Sequence, residues 1–446
     1  MLTYLKHKIF PFVLMISCFA FFIWLYLHDL SGHLVHVDEG AWAYLSLFKC
    51  KLLLIDKNWD YHRWEDRYFH DLPPIASYLI GLSAWLHGYM DTLTPEKPFE
   101  LTPEETEKVI PAARIPMAIL GGASCILFFW LCMIQNERLA SYICAFMLAF
   151  NTLMLRTCRR AMSESPFVFF MVLSIGFSIL WIKALNRSEI IKSFLYAGLT
   201  GTAVALSTGS KLLGVFILPA IVITNLVNSI TMYHIARRNE ALRKCIKKMI
   251  WMWATTVCCF CTWFLVFYAS YPTFYGHPLK NMWEMVTYRQ DLIKEQWRTS
   301  IQTEVGNLNP YGDNPYRGFI QHDGKMNYSP QIQTLRDRFH LVFFRSIMFY
   351  GTIQGMTGMV LDLPFLILGF MVIIRKSLLD WRNEQYSFNI LIISWFIVLY
   401  IALSITLPLD WDRYYLIVVP PATFLSGLGV AYFLRILWYR ILKIIR

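Results

Sequence analysis

The chain has 446 residues, 56% of them hydrophobic and only 16% charged, with a mean hydropathy of +0.43. That composition excludes a water-soluble globule and points to a polytopic membrane protein, and the lack of period-2 alternation excludes a transmembrane barrel. The net charge of +11 does not imply nucleic acid, because Lys and Arg cluster in short segments between apolar runs, as membrane topology requires.

Residues 1–28 begin with basic side chains, but their apolar stretch is too long for a secretory signal and lacks a small-x-small cleavage site, so a retained first span is expected at 9–28. Further spans are expected at 115–134, 139–157, 166–183, 193–208, 212–232, 250–269, 358–374, 388–407 and 414–433, each able to cross a hydrocarbon core of about 30 Å as a helix. The fold class is therefore an all-α bundle of about ten transmembrane helices. Most of the ten cysteines lie inside these runs, and CCFC at 258–261 fits buried helical packing better than a metal site.

Two apolar stretches, 72–88 and 339–356, decide sidedness. Read as helices lying in the outer interface, they leave the N-terminal KHK, the segment 236–248, the segment 375–382 and the basic C-terminus all in the cytoplasm. HVDEGAWAY (36–44), YFHDLPPI (68–75), RRAMSESP (159–166), TGSK (208–211), the polar loop 270–338 and LDWDRYY (409–415) then share the outer face, periplasmic, exterior or lumenal. No linker or internal repeat interrupts the chain. It reads as a single integral membrane catalytic domain, 1–446, with a first external loop at 29–113 and a long later one at 270–357, each carrying an interfacial helix.

Asp38 and Glu39, alone, would be solvated loop charges. Their company argues otherwise: Arg159, Arg160 and Glu164, then Lys211, then Asp410, Asp412 and Arg413 all fall at the outer mouths of spans. Ionisable groups at membrane depth are costly, and are usually paired or functional. Acids beside one reacting group, with Arg and Lys beside an anion, describe group transfer.

At these residues the sequence resembles the polyprenyl-phosphate-sugar-dependent glycosyltransferases of the GT-C fold, which include the protein O-mannosyltransferases and the aminoarabinose transferases of lipid A. The motifs are Asp38-Glu39, His70 with Pro73-Pro74, Arg160 with Glu164 and Pro166, and Arg413-Tyr414 followed by Pro420-Pro421. The resemblance runs to about residue 220 and returns at 408–425; it departs where Asp71 and Leu72 separate His70 from the prolines, and in having Glu164 where many members have Asp.

The resemblance implies inverting transfer of a sugar from a dolichyl, undecaprenyl or decaprenyl type of phosphate carrier to a hydroxyl on a lipid, glycan or protein. The implied roles are Asp38 as base, Glu39 orienting the site, and Glu164 as a further catalytic carboxylate. Arg160, Lys211, Arg413 and His70 would hold the donor phosphate, and Trp42, Tyr414 and Asp412 the substrate. Trp42, Trp59 and Trp64 serve equally well as interfacial anchors. No metal-ligand spacing appears; for the divalent ion that some relatives bind, His277 is the candidate ligand, alongside Asp38, Glu164 and His70 on the same face. The competing reading is a transporter or flippase of an anionic or lipid-linked solute, for which the sequence lacks the matched broken helices of two repeated halves.

Overall fold

Backbone groups in lipid must be satisfied within their own segment, and the described residues accordingly form helices and no strand. The computed structural model describes residues 2–32, 36, 38–58, 73–92, 103–238, 242–302, 334–407 and 412–445. In chain order the helices are α1 (Leu2–Leu27), α2 (Glu39–Cys50, extended by a π turn over Lys51–Ile55), α3 (Pro74–Leu86), α4 (Pro103–Met133), α5 (Arg138–Ala149) and α6 (Thr152–Thr157). They continue as α7 (Glu164–Asn186), α8 (Ile190–Ser210), α9 (Ile217–Arg238, preceded by a 3-10 turn over Leu212–Phe216), α10 (Leu242–Ser270) and α11 (Pro278–Gln302). The last are α12 (Leu335–Phe343, running into a π turn over Phe344–Phe349), α13 (Thr352–Thr357), α14 (Asp362–Arg382), α15 (Asn389–Thr406), α16 (Asp412–Tyr415) and α17 (Val419–Ile445).

Seven of the described helices, α4, α7, α8, α9 with its 3-10 turn, α10, α15 and α17, are long and apolar enough to cross a membrane. The chain is a multi-pass membrane protein. The other expected spans fall on α1, on α5 with α6, and on α14, which do not meet that measure over their described residues, so the expected ten are not all matched. The reasons are local. The run 139–157 breaks at Asn151, whose side-chain oxygen accepts the Met154 N–H at 3.1 Å and starts α6 afresh. α14 carries Asp362, Arg375, Lys376, Asp380 and Arg382, which dilute its hydropathy.

Both stretches expected at the interface stop short of a span. The first becomes α3, whose thirteen residues reach only about 20 Å. Pro74 occupies its first turn, where a missing N–H costs nothing. α3 packs on α2 and α4 and so backs the segment that bears the acid pair. Gly81 makes this fit: a Cβ there would lie 2.2 Å from the Ser46 carbonyl oxygen of α2. The second stretch divides among α12, its π turn and α13.

Small residues also let long helices approach backbone to backbone, the usual device where no hydrophobic effect separates helix from lipid. Between α14 and α17, a Cβ on Gly369 would sit 2.0 Å from the Leu425 carbonyl oxygen, and one on Gly429 2.0 Å from that of Phe365. Gly369→Ala should therefore cost about 1–3 kcal/mol by overpacking. Thermal unfolding in detergent measures it, with Gly198→Ala, whose Cβ would meet only Thr262 Oγ1 at 3.8 Å, as the neutral control; equal melting temperatures for the two variants would refute the close contact.

Candidate active site

The site gathers at one end of the bundle, where α1 ends, α2 and α7 begin, α8 ends and α17 begins. Its foundation is an ion pair without solvent exposure. Glu39, in the first turn of α2, receives Arg114 of α4 through Nε at 2.9 Å and Nη2 at 2.7 Å, and the two side chains are 0% and 1% exposed. The same carboxylate accepts the backbone N–H of Ala161 at 2.7 Å and that of His36 at 2.8 Å. Arg114 also donates to the Leu30 carbonyl at 2.6 Å. One residue pair thus ties the chain after α1, the start of α2, the middle of α4 and the turn before α7.

That turn divides the labour of the double arginine. Arg159 donates to the carbonyls of Tyr26 and His28, capping the C-terminal end of α1. Arg160 turns inward and is buried. Its charge is felt by His36.

Asp38 precedes α2 and, at 30% side-chain exposure, is the accessible carboxylate of the set, against 0% for Glu39 and 3% for Glu164. Its Oδ2 accepts a hydrogen bond from Nη1 of Arg413, brought in by α16. Its own N–H donates to Nδ1 of His36 at 3.1 Å, which assigns the imidazole proton to Nε2. Burial, helped by the charges of Arg160 and Arg413 and opposed by Asp38 and Glu39, lowers the His36 pKa to about 4. His36 is therefore neutral at pH 7.

Glu164 opens α7, a position favourable for an anion on the helix dipole. Its Oε1 accepts Lys211 Nζ at 3.1 Å; its Oε2 is buried with no hydrogen-bond partner among the described residues. Lys211 stands where α8 gives way to the 3-10 turn, with extended φ and ψ of −152° and 126° that project its side chain out of the helical path. Lys211 Nζ lies 5.6 Å and the Arg413 guanidinium carbon 5.4 Å from the ring centroid of Tyr414, so the ring lies beside two cations. Burial lowers the Lys211 pKa, Glu164 raises it, and Arg413 and Arg289 of α11 press it down again. Burial also works against charge on Arg413, yet Tyr414, Asp38 and Glu164 raise its pKa above the ordinary value.

Of the residues expected from the sequence, Asp38, Glu164, Lys211, Arg413 and Tyr414 are joined by these contacts. Glu39 lies beside them but not as a catalytic carboxylate: four donors occupy its oxygens and none of it is exposed, which makes it a positioning residue. Trp42 is corrected as well. It is 7% exposed and packs with Ala76, Ile80 and Ile110 in the core between α2, α3 and α4, leaving no ring face for a sugar. Asp412 opens α16. His70, Trp59, Trp64 and Asp410 lie outside the described residues. His277 is exposed just before α11, and no group of three His, Cys, Asp or Glu among the described residues could hold a metal ion. The residues described do not fit a metal centre.

Sequence reading missed Arg114, His36 and Arg289. Arg114 had a signal, a lone arginine in the run AARIPMAIL, and His36 opens the stretch HVDEGAWAY two residues before Asp38; Arg289 had none beyond proximity in the fold.

Two tests follow from the buried pair and its neighbour. Glu39→Gln leaves Arg114 charged and buried and should cost about 3–5 kcal/mol, whereas Glu39→Leu with Arg114→Leu should recover most of that loss; thermal unfolding that ranks the double variant below the single one would contradict the pairing. The pH dependence has a definite sign. The folded His36 value of about 4 lies below its ordinary 6.5, so the unfolded chain takes up protons first and stability falls as pH drops between the two. Burial raises the Glu39 pKa, but Arg114 and the backbone N–H groups of His36 and Ala161 together lower it by more, so its contribution is present above the ordinary carboxylate value and is lost as pH falls through the folded one. His36→Gln cannot titrate and should flatten the limb between 6.5 and 4 in a melting-temperature series; an unchanged slope would remove His36 as its cause.

Residues 55–275 match the family model described as dolichyl-phosphate-mannose-protein mannosyltransferase. No curated protein matches the sequence. Among solved structures, the archaeal oligosaccharyltransferase AglB of Archaeoglobus fulgidus, in complex with an inhibitory peptide and a dolichol-phosphate, superposes with a TM-score of 0.50 at 14% identity, over 98% of this chain and 52% of its own. ArnT of Cupriavidus metallidurans bound to undecaprenyl phosphate gives 0.48 at 14% identity, over 95% of this chain and 60% of its own. The S. cerevisiae protein O-mannosyltransferase complex bound to the sugar donor gives 0.43 at 17%, over 58% of this chain and 34% of its own. The chain thus spans between about a third and 60% of the length of these structures. Residues 55–275 are thus similar to the dolichyl-phosphate-mannose-protein mannosyltransferases, and the fold is that of the GT-C glycosyltransferases.

Proposed function

We propose that the protein is a membrane glycosyltransferase that moves a sugar from a polyprenyl-phosphate donor to an acceptor hydroxyl, with 1–446 as one catalytic unit. The observation that carries this reading is the accessible carboxylate of Asp38 on Arg413, in a cluster that also holds Lys211 and Glu164. A base beside an anion site is what a single displacement from a phosphate-linked sugar requires. The matched family model names a dolichyl-phosphate-linked mannose, and the archaeal relative of the same fold holds a dolichol-phosphate.

In the proposed reaction the donor phosphate enters among Arg413, Lys211 and Arg160 and takes the place of Asp38 on Arg413. The released carboxylate accepts the proton of the acceptor hydroxyl as its oxygen bonds to the anomeric carbon. The bond from that carbon to the phosphate oxygen breaks, and the carrier phosphate leaves with the electron pair, steadied by the same cations. Tyr414 flanks the two cations and bounds the sugar pocket, and Glu164 keeps Lys211 in place. His70 and Asp412 stay candidates for the phosphate and the substrate. The positive-inside pattern supports an active site on the exterior or lumenal face and cytoplasmic termini.

Asp38→Asn removes the base, and with it the carboxylate that Arg413 holds, so transfer should fall by about 10²–10⁴-fold in a folded protein. Transfer of label from short-chain polyprenyl-phosphate sugars in detergent, mannose first, measures it; full activity in that variant would end the assignment. Arg413→Ala should raise the apparent KM for the donor by more than tenfold and change that for the acceptor little, an effect in line with about 1.5–3 kcal/mol for a hydrogen bond to a charged group. An unchanged donor KM would move the phosphate elsewhere.

A further inference from the structure

At the end of the bundle away from the acid pair, a cavity of about 210 Å³ opens between α14, α17 and the turn joining α4 to α5. Its polar atoms come from Glu137, Arg375, Lys376, Tyr432 and Arg435, and the rest of its wall is largely apolar side chains of α14 and α17. The carboxylate is fully used. Glu137 Oε1 accepts Lys376 Nζ at 2.5 Å and its Oε2 accepts Arg435 Nη2 at 2.5 Å. Arg375 has no carboxylate partner among the described residues; its guanidinium donates to the Tyr432 hydroxyl at 3.4 Å. Three cations against one acid leave the cavity with an excess of two positive charges.

Those charges are within reach of a ligand, since the Lys376 and Arg435 side chains are 29% and 46% exposed. Around the opening the bundle presents apolar side chains outward, including Ile374, Leu379 and Leu434. The complement of such a surface is an anion that carries an apolar tail. Size narrows it further, because the cavity falls below the roughly 300–1,000 Å³ of sites for drug-sized molecules and suits a single phosphate group better than a nucleotide. An arginine fork matches phosphate oxygens, and basic pockets between membrane helices take lipid headgroups. We infer that this cavity binds the phosphate of an anionic phospholipid, in the leaflet opposite the candidate active site.

Native mass spectrometry of the purified protein with phosphatidylglycerol and phosphatidylcholine tests the inference, and it does not depend on the proposed transfer reaction. The wild type should retain phosphatidylglycerol in preference to phosphatidylcholine. Arg375→Gln breaks no ion pair and should weaken that preference about fivefold, with a similar further loss on adding Arg435→Gln. Glu137→Gln removes the opposing charge and should strengthen retention, a gain that misfolding cannot produce. Equal retention of the two lipids, or a preference indifferent to all three changes, would overturn the inference. Displacement of the lipid by millimolar inorganic phosphate would overturn it in favour of a soluble phosphate.

Discussion

The candidate site depends on the ion pair between Glu39 and Arg114. Two charges taken wholly out of water are tolerated only when their geometry and remaining hydrogen bonds are nearly complete, and here the bidentate contact, two backbone N–H groups and a carbonyl complete them. Such a pair adds little net stability over an apolar substitute, but it tolerates almost no displacement, because moving either partner exposes an uncompensated charge to the core. The loop after α1, the start of α2 and the turn before α7 are therefore held to α4 at one point. Asp38, adjacent to Glu39 in the chain, inherits that position without spending its own carboxylate on it.

The charges around Asp38 then sort by what they already hold. Glu39 is consumed by Arg114, and Glu164 by Lys211 on one of its oxygens. Arg413 shares Asp38, while Arg160 and Arg289 add positive charge near by. The acids are thus outnumbered, and His36, kept neutral by burial, does not alter the balance at pH 7. An anion entering this end meets a field of fixed cations in a low-dielectric wall, where each is worth more than in water.

How much of this could be read from the sequence varied with the range of the interaction. Apolar runs are local, so the expected spans coincide with helices, and Pro73-Pro74 announced α3 because proline at a first helical position is a local rule. The departures are also local in origin: Asn151 restarts a helix inside one apolar run, and the charges of α14 dilute another. The site is different. Asp38 and Arg413 stand 375 residues apart, and Arg114 is 75 residues from Glu39, so no periodicity could pair them. Motif resemblance supplied the members at 38, 164 and 413, and a position at the mouth of a span added Lys211, but neither could say that Glu39 is buried and Asp38 partly exposed. Trp42 failed for a related reason, since an aromatic one turn into a helix can face a sugar or a neighbouring helix, and the packing of α3 decides which.

In the proposed reaction the base, Asp38, rests on an arginine until the donor arrives, and that pairing has a consequence. An arginine at membrane depth without an anion would be costly to hold, so the unliganded site needs a carboxylate there. In the proposed reaction an arriving phosphate would replace one anion with another on the same guanidinium, with most of the desolvation already met by the folded protein, and Asp38 would lose its partner in the same event that delivers the sugar. That exchange would couple activation of the acceptor to donor binding. The arrangement needs Asp38 to be the one partly exposed acid of the set, and it is.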